Sequence, residues 1–226
     1  LISGNVNAWT GDNVNSFEKE FAKYFQTKYA IALANGTLAL TAAYKAIGIK
    51  SNDEIITTPR TFIATSSTAM LLGAKILFAD VDENSGNIDS HSIERLISEK
   101  TKCITVVHLA GWPCDMKRIS EIAKRYNLKI IEDCSQAHGA SIEGKSVGNF
   151  SDIATWSFCQ DKIISTGGEG GMITTNSEEY WEQIWSLKDH GKTNFSVFKK
   201  KHPKGFAYKF VHDKLGTNFR MTEMQA

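Results

Sequence analysis

The sequence predicts an α/β fold, a mostly parallel sheet sandwiched by helices. Three observations carry that expectation. Short apolar runs rich in Ile, Val and Thr recur along the chain. Each is followed by an amphipathic stretch of about ten residues, the pattern of βαβ units. The polar residues that can do chemistry cluster directly after the apolar runs. With 226 residues, 42% hydrophobic and 23% charged, the chain has ample material for a core, and 1–226 is read as one large domain.

Taken in order, Val14, Phe17, Phe21, Tyr24 and Phe25 recur at helical spacing and predict a helix over 13–27. YAIAL (29–33) is a strand, and the Ala- and Leu-rich run 38–47 is a helix. Between them, Gly36-Thr37 forms a turn that aims free N–H groups and a helix dipole at an anion. Many such turns bind nothing, so this signal alone is weak. EIITT (54–58) and KILFA (75–79) are strands, with helices over 62–72 and 90–99. CITVVH (103–108) and KIIED (129–133) are strands flanking a helix at 116–126. Runs 153–158 and 172–175 complete the strands, and 178–189 is a helix with Tyr180, Trp181, Ile184, Trp185 and Leu187 on its apolar side. Residues 191–214 read as an irregular loop or hairpin, and MTEMQA (221–226) as a helix. The chain begins with Leu and stops inside that apparent helix, so a piece of a longer protein is expected.

Right-handed crossovers gather the carboxyl ends of parallel strands on one edge, where open α/β sheets bind ligands. Three polar features collect there: Gly36-Thr37; Asp133 with Gln136 and His138; and the segment from Ser157 to Lys162. Lys162 lies between two strands and ahead of the cluster Gly167, Gly168, Gly170 and Gly171, which Glu169 interrupts. By itself Lys162 reads equally well as a loop lysine that snorkels to water or as an amine nucleophile held in a pocket.

Several classes are excluded or left unsupported. A net charge of +1 with interspersed signs gives no reason to expect nucleic acid or an anionic membrane. The Lys199-Lys200-Lys201 run reads as solvated surface. Cys103, Cys114, Cys134 and Cys159 lie far apart, without zinc spacing, which fits a reducing cytoplasm and no metal. No apolar run approaches the ~18–20 residues of a membrane span, and no signal peptide is visible. A Rossmann dehydrogenase needs a GxGxxG turn, whereas ANGTLAL has one glycine.

A strand-end acid, a lone lysine and an anion-binding turn are what pyridoxal 5′-phosphate requires. The amine must attack the cofactor aldehyde, the acid must hold a proton on the ring nitrogen, and N–H groups and hydroxyls at Gly36, Thr37 and Ser157 could take the phosphate. Phe62 offers a flat face for stacking. Each has an ordinary alternative: Asp133 as a helix cap, Phe62 as core, Glu169 as a loop charge, His138 as a satisfied core histidine. Their order at consecutive strand ends favours the joint reading.

The stretches NGTLAL (35–40), PRTFIAT (59–65), FADVDENSGNID (78–89), VHLAGWPCDM (107–116), IIEDCSQAHGA (130–140), SFCQDKIISTGGEGG (157–171), DHG (189–191) and GTNFRMTEMQA (216–226) together resemble the DegT/DnrJ/EryC1/StrS family of sugar aminotransferases. The resemblance implies the large domain of a fold-type I pyridoxal-phosphate enzyme, without the smaller C-terminal domain. It implies that Lys162 forms the Schiff base and then moves the substrate α-proton. Asp133 would pair with the pyridinium and Gln136 with the 3′-oxygen. Gly36, Thr37 and Ser157 would cradle the phosphate, and Phe62 would stack on the ring. Asn218 would reach the phosphate of a neighbouring subunit in a homodimer with shared active sites, and Glu169 and His190 would lie near the substrate. The implied reaction transfers an amino group, usually from L-glutamate, to a keto carbon of a nucleotide-linked sugar for cell-surface polysaccharide or related glycans. Lys162 argues against the family's dehydratases, in which histidine takes its place. Cys159 stands where many members have histidine, Asn35 where serine is common, and the Lys162-to-Glu169 spacing is one longer than in some members; these departures concern subgroup. A non-transaminating pyridoxal-phosphate protein and a nucleotide-sugar-binding oxidoreductase module remain as alternatives.

Overall fold

Seven strands form one sheet in the spatial order β1-β9-β8-β5-β4-β2-β3, where β1 is Tyr29–Leu33, β2 Glu54–Thr57, β3 Lys75–Phe78, β4 Thr101–Val107, β5 Lys129–Asp133, β8 Ile153–Ser157 and β9 Gly171–Thr175. The structure, a computed structural model, describes residues 6, 11–199 and 211–226. Strands β3, β2, β4, β5 and β8 run parallel. β9 is antiparallel to both of its neighbours, because the connection from β8 is a loop that returns directly and not a crossover helix. A short hairpin, β6 (Ser141–Ile142) with β7 (Lys145–Ser146), sits apart.

Alternation along each strand sends side chains to two helical layers. Ile31, Leu33, Ile55, Cys103, Ile131, Ile153 and Ile173 pack with α2 (Gly36–Ala46), α3 (Ala64–Met70) and α6 (Glu178–Lys188). On the other face, Ile56, Ile104, Val106 and Ile130 meet α4 (Ser90–Leu96) and α5 (Met116–Tyr126). Beside them Ala30, Ala32, Trp156 and Met172 meet Val14, Phe21 and Ala22 of α1 (Asn13–Tyr24). The expected sandwich is therefore present, with the carboxyl ends of the parallel strands on one edge.

Four expectations change. The second helix begins at Gly36, not 38, because Asn35 caps it through a bond from the Leu38 N–H to its side-chain oxygen, 2.9 Å. The third starts at Ala64, so Phe62 lies just ahead of it in the loop. The run 221–226 is a turn and not a helix. Met221 is buried in the aromatic layer under α1, and the Glu223 carboxylate accepts the Asn13 and Val14 N–H groups at the start of α1, which fixes the segment in a non-helical path. Within the expected loop 191–214, Asn194–Phe198 forms the short helix α7; residues 200–210, including Lys200 and Lys201, lie outside the described residues. Lys199 is exposed.

Candidate active site

A cleft of about 390 Å³ opens at the carboxyl ends of the strands, lined by Gly36, Thr37, Phe62, Thr65, Asp133, Gln136, Ser157, Cys159, Lys162 and Glu169 among others. Its floor is the start of α2. A Cβ on Gly36 would lie 2.7 Å from the Ser157 Cβ, and one on Gly171 would lie 2.4 Å from the Asn35 carbonyl carbon and oxygen. Only glycine permits this approach of helix to strands. Asn35 satisfies Leu38, so the Gly36 and Thr37 N–H groups, which have no intrahelical acceptor, are left for a ligand in the cleft.

Asp133, the last residue of β5, is 5% exposed. Its Oδ2 accepts the Thr65 hydroxyl at 2.9 Å and its Oδ1 the Ser135 N–H at 3.2 Å. Thr65 is a site residue that the residue-by-residue reading missed. Its only sequence signal is a hydroxyl one helical turn beyond Thr61, whose hydroxyl it meets at 3.0 Å. Gln136 Oε1 accepts the Ala110 N–H at 2.8 Å. Phe62 is 67% exposed on the cleft wall.

Lys162 follows β8 with its side chain 20% exposed, and its Nζ lies 3.3 Å from Asp161 Oδ1. The same oxygen accepts the Cys159 thiol at 2.8 Å. That thiol first, then the Lys162 ammonium, hold Asp161 below the usual carboxylate range. Gly167 and Gly168 have φ of 75° and 129°, conformations that suit glycine. They turn the chain so that Glu169 reaches the cleft, its carbonyl accepting from the Thr166 hydroxyl and the Gln225 amide at 2.9 and 2.7 Å.

Two of the expected residues lie outside this cleft: His190, expected near the substrate, and Asn218, expected to reach the phosphate of a neighbouring subunit. His190 and Asn218 are exposed and do not line the cleft. Their segments are zipped together through a bridge between Asp189 and Asn218 and a bond from the His190 N–H to the Thr217 carbonyl, 3.0 Å. His138 also stands back from the cleft, between Trp156 and Phe158 at 5.5 and 5.6 Å. Its two ring nitrogens are buried without a hydrogen-bond partner among the described residues. Burial, then the nearby Lys162 charge, push its pKa down to about 4.

Two further clusters are structural. His108, Glu132 and Cys134 converge in the interior, but the His108 and Glu132 donor atoms are engaged, and burial pushes the Cys134 thiol up, away from the thiolate a metal would need. His108 bonds Glu132 through Nε2 and accepts the Cys114 N–H at Nδ1. Glu132 also takes the N–H groups of Gly148 and Phe150. In a second cleft, of about 250 Å³ between α1 and α6, both lining carboxylates are paired, Glu18 with Lys188 and Asp189 with Arg220.

The family model for the DegT/DnrJ/EryC1/StrS aminotransferases matches residues 2–226. The chain belongs to that family. It is 42% identical over 218 residues to the dTDP-3-amino-3,6-dideoxy-alpha-D-galactopyranose transaminase of Aneurinibacillus thermoaerophilus, covering 96% of this chain and 56% of that protein. The solved aminotransferase from Psychrobacter cryohalolentis superposes with a TM-score of 0.96 at 54% identity, over 100% of this chain and 56% of that one. NtdA from Bacillus subtilis, solved with its cofactor PMP bound, superposes at 0.86 with 32% identity, over 100% and 48%. The chain thus spans about half the length of the relatives it matches.

For a DegT/DnrJ/EryC1/StrS member the cofactor is pyridoxal phosphate, and the residues present fit it. Gly36 lets the α2 N-terminus approach Ser157, that N-terminus turns N–H groups to the cleft, a buried carboxylate ends β5, and among the described residues Lys162 is the only lysine lining the cleft.

Proposed function

We propose that this chain is the cofactor-holding large domain of a pyridoxal-phosphate-dependent aminotransferase. Its reaction would move an amino group from an amino acid, with L-glutamate the expected donor, to a keto carbon of a nucleotide-linked sugar destined for cell-surface polysaccharide or a related glycan. The observation that carries this reading is the convergence of Lys162, Asp133 and the α2 N-terminus on one cleft.

The cofactor, when bound, supplies an electron sink for the charge left when a proton leaves the substrate α-carbon. This chain's residues do the rest. The Gly36 and Thr37 N–H groups with the Ser157 hydroxyl hold the phosphate. Asp133, oriented by Thr65 and Ser135, keeps a proton on the ring nitrogen. Phe62 covers a ring face, and Gln136 meets the 3′-oxygen. Lys162 anchors the cofactor and carries the α-proton, with Asp161 beside its Nζ. Glu169, on the cleft wall, would contact the sugar. Asn218, exposed here, would serve the phosphate of a second copy, which makes a homodimer the working unit. Four free thiols agree with a cytoplasmic setting.

The test has two parts. Lys162→Ala should lose the visible band of bound cofactor and all turnover, with the fold retained by circular dichroism. The wild-type enzyme, given glutamate and a panel of dTDP-, GDP- and UDP-linked ketosugars, should release 2-oxoglutarate with at least one. An unchanged band in the variant, or no oxoacid from any sugar, overturns the proposal.

A further inference from the structure

The 3₁₀ turn Leu109–Gly111 between β4 and α5 holds a conformation its sequence disfavours. Ala110 has φ 51° and ψ 28°, the left-handed region, where a Cβ crowds the following carbonyl. Such strain persists only where the surroundings over-determine it. Here they do. Asn87 is 3% exposed and spans the turn: its Oδ1 accepts the Leu109 N–H at 3.2 Å, and its Nδ2 donates to the Trp112 carbonyl at 2.9 Å. On the other side the His108 N–H is tied to the Asp133 carbonyl, 3.3 Å, and the Gly111 N–H to the His108 carbonyl, 3.2 Å.

The result is an N–H at Ala110 aimed at the Gln136 side chain, 2.8 Å away. A donor cannot face a donor, so this contact decides which end of the Gln136 amide is which. Oε1 must face Ala110, and Nε2 must point away from it. Gln136 lines the cleft, and its Nε2 has no hydrogen bond among the described residues. Without the Ala110 N–H the amide could rotate and show the cleft an acceptor.

We infer that Asn87 is a positioning residue: by locking Ala110 in the left-handed turn it holds the Gln136 amide with its NH₂ toward the cleft, so that the site presents a donor to the cofactor's ring oxygen. Asn87 acts through two intermediaries and touches neither cofactor nor substrate. The inference rests on the reading of Gln136 given above.

The experiment compares wild-type holoenzyme with Asn87→Ala, Asn87→Asp, Gln136→Ala and the Asn87→Ala/Gln136→Ala double variant. The readouts are the cofactor dissociation constant, the pH midpoint of the cofactor's visible band, and the unfolding temperature. A donor on the ring oxygen draws electron density away from the proton shared beside it, so losing the donor should raise that midpoint. Gln136→Ala and Asn87→Ala should each raise it and weaken cofactor binding roughly three- to tenfold, and the double variant should be no worse than Gln136→Ala. Asn87→Asp is isosteric and keeps the acceptor for Leu109, so it carries the test if the alanine variant does not fold. Asn87 variants that lower only the unfolding temperature, or whose effects multiply with Gln136→Ala, overturn the inference. An unchanged midpoint and affinity in Gln136→Ala would instead overturn the role of Gln136 itself.

Discussion

Cys159 has its thiol on the cleft wall and its S–H pointed at Asp161, whereas Cys103, Cys114 and Cys134 are buried. Burial pushes the Cys103 and Cys114 thiols up to about 12, so they carry almost no thiolate at neutral pH. A thiol reagent should therefore label one site in the native protein, and Cys159→Ser should abolish that label. Loading the cofactor should slow it, because the two share a cleft. Mass spectrometry of the labelled peptides reads all three outcomes. His138 gives a pH effect. In the folded chain it protonates near pH 4, and unfolded near 6.5. Between those values the unfolded state binds more protons, so stability falls as pH drops through the window, by about 3 kcal/mol when complete. His138→Phe should flatten this part of the stability curve, measured by denaturant unfolding at pH 7, 6 and 5. The sequence showed His138 at the right strand end, but not its side. The turn after β5 places it among the aromatic rings behind β8, while Gln136, two residues earlier, lines the cleft.

The functional element is the seat of α2 on the ends of β8 and β9. Gly171→Ala would drive a Cβ into the Asn35 backbone, which cannot move aside as a flexible side chain can. The helix start must shift, so we expect loss of about 1–3 kcal/mol of stability and a larger proportional loss of phosphate affinity than of fold. Titrating the variant with inorganic phosphate and with cofactor, next to its unfolding curve, separates the two. At this scale the sequence was a good guide to strands, whose two-residue alternation is strong, and a poorer one to ends. The sequence pattern predicts Phe62 as the first residue of a helix that begins at Ala64. The 221–226 run has good helix formers, yet burial of Met221 and the capping of α1 by Glu223 outweigh that propensity.

For the whole molecule, Phe62 on the cleft wall and its neighbour Ile63, with Ile163 next to Lys162, are 67%, 64% and 66% exposed. The homodimer proposed above would place a second copy over these side chains. Sedimentation equilibrium should give a dimer at micromolar concentration. Ile163→Glu should shift it toward monomer and weaken cofactor binding in proportion, since Asn218 of the second copy would be lost to the site. A monomeric wild type with full cofactor affinity would contradict the shared site.

From sequence alone came the layered α/β class, the strand-end placement of Asp133 and the pairing of an anion-binding turn with one lysine. These follow from local periodicity and from the rule that crossovers keep one hand, so chain order suffices. Only the folded structure decided that Thr65 orients Asp133, that Asn87 and Ala110 set the Gln136 amide, and that His190 and Asn218 stand outside the cleft. Each of those depends on contacts between segments tens of residues apart or on a single backbone torsion, and neither leaves a periodic trace in the sequence.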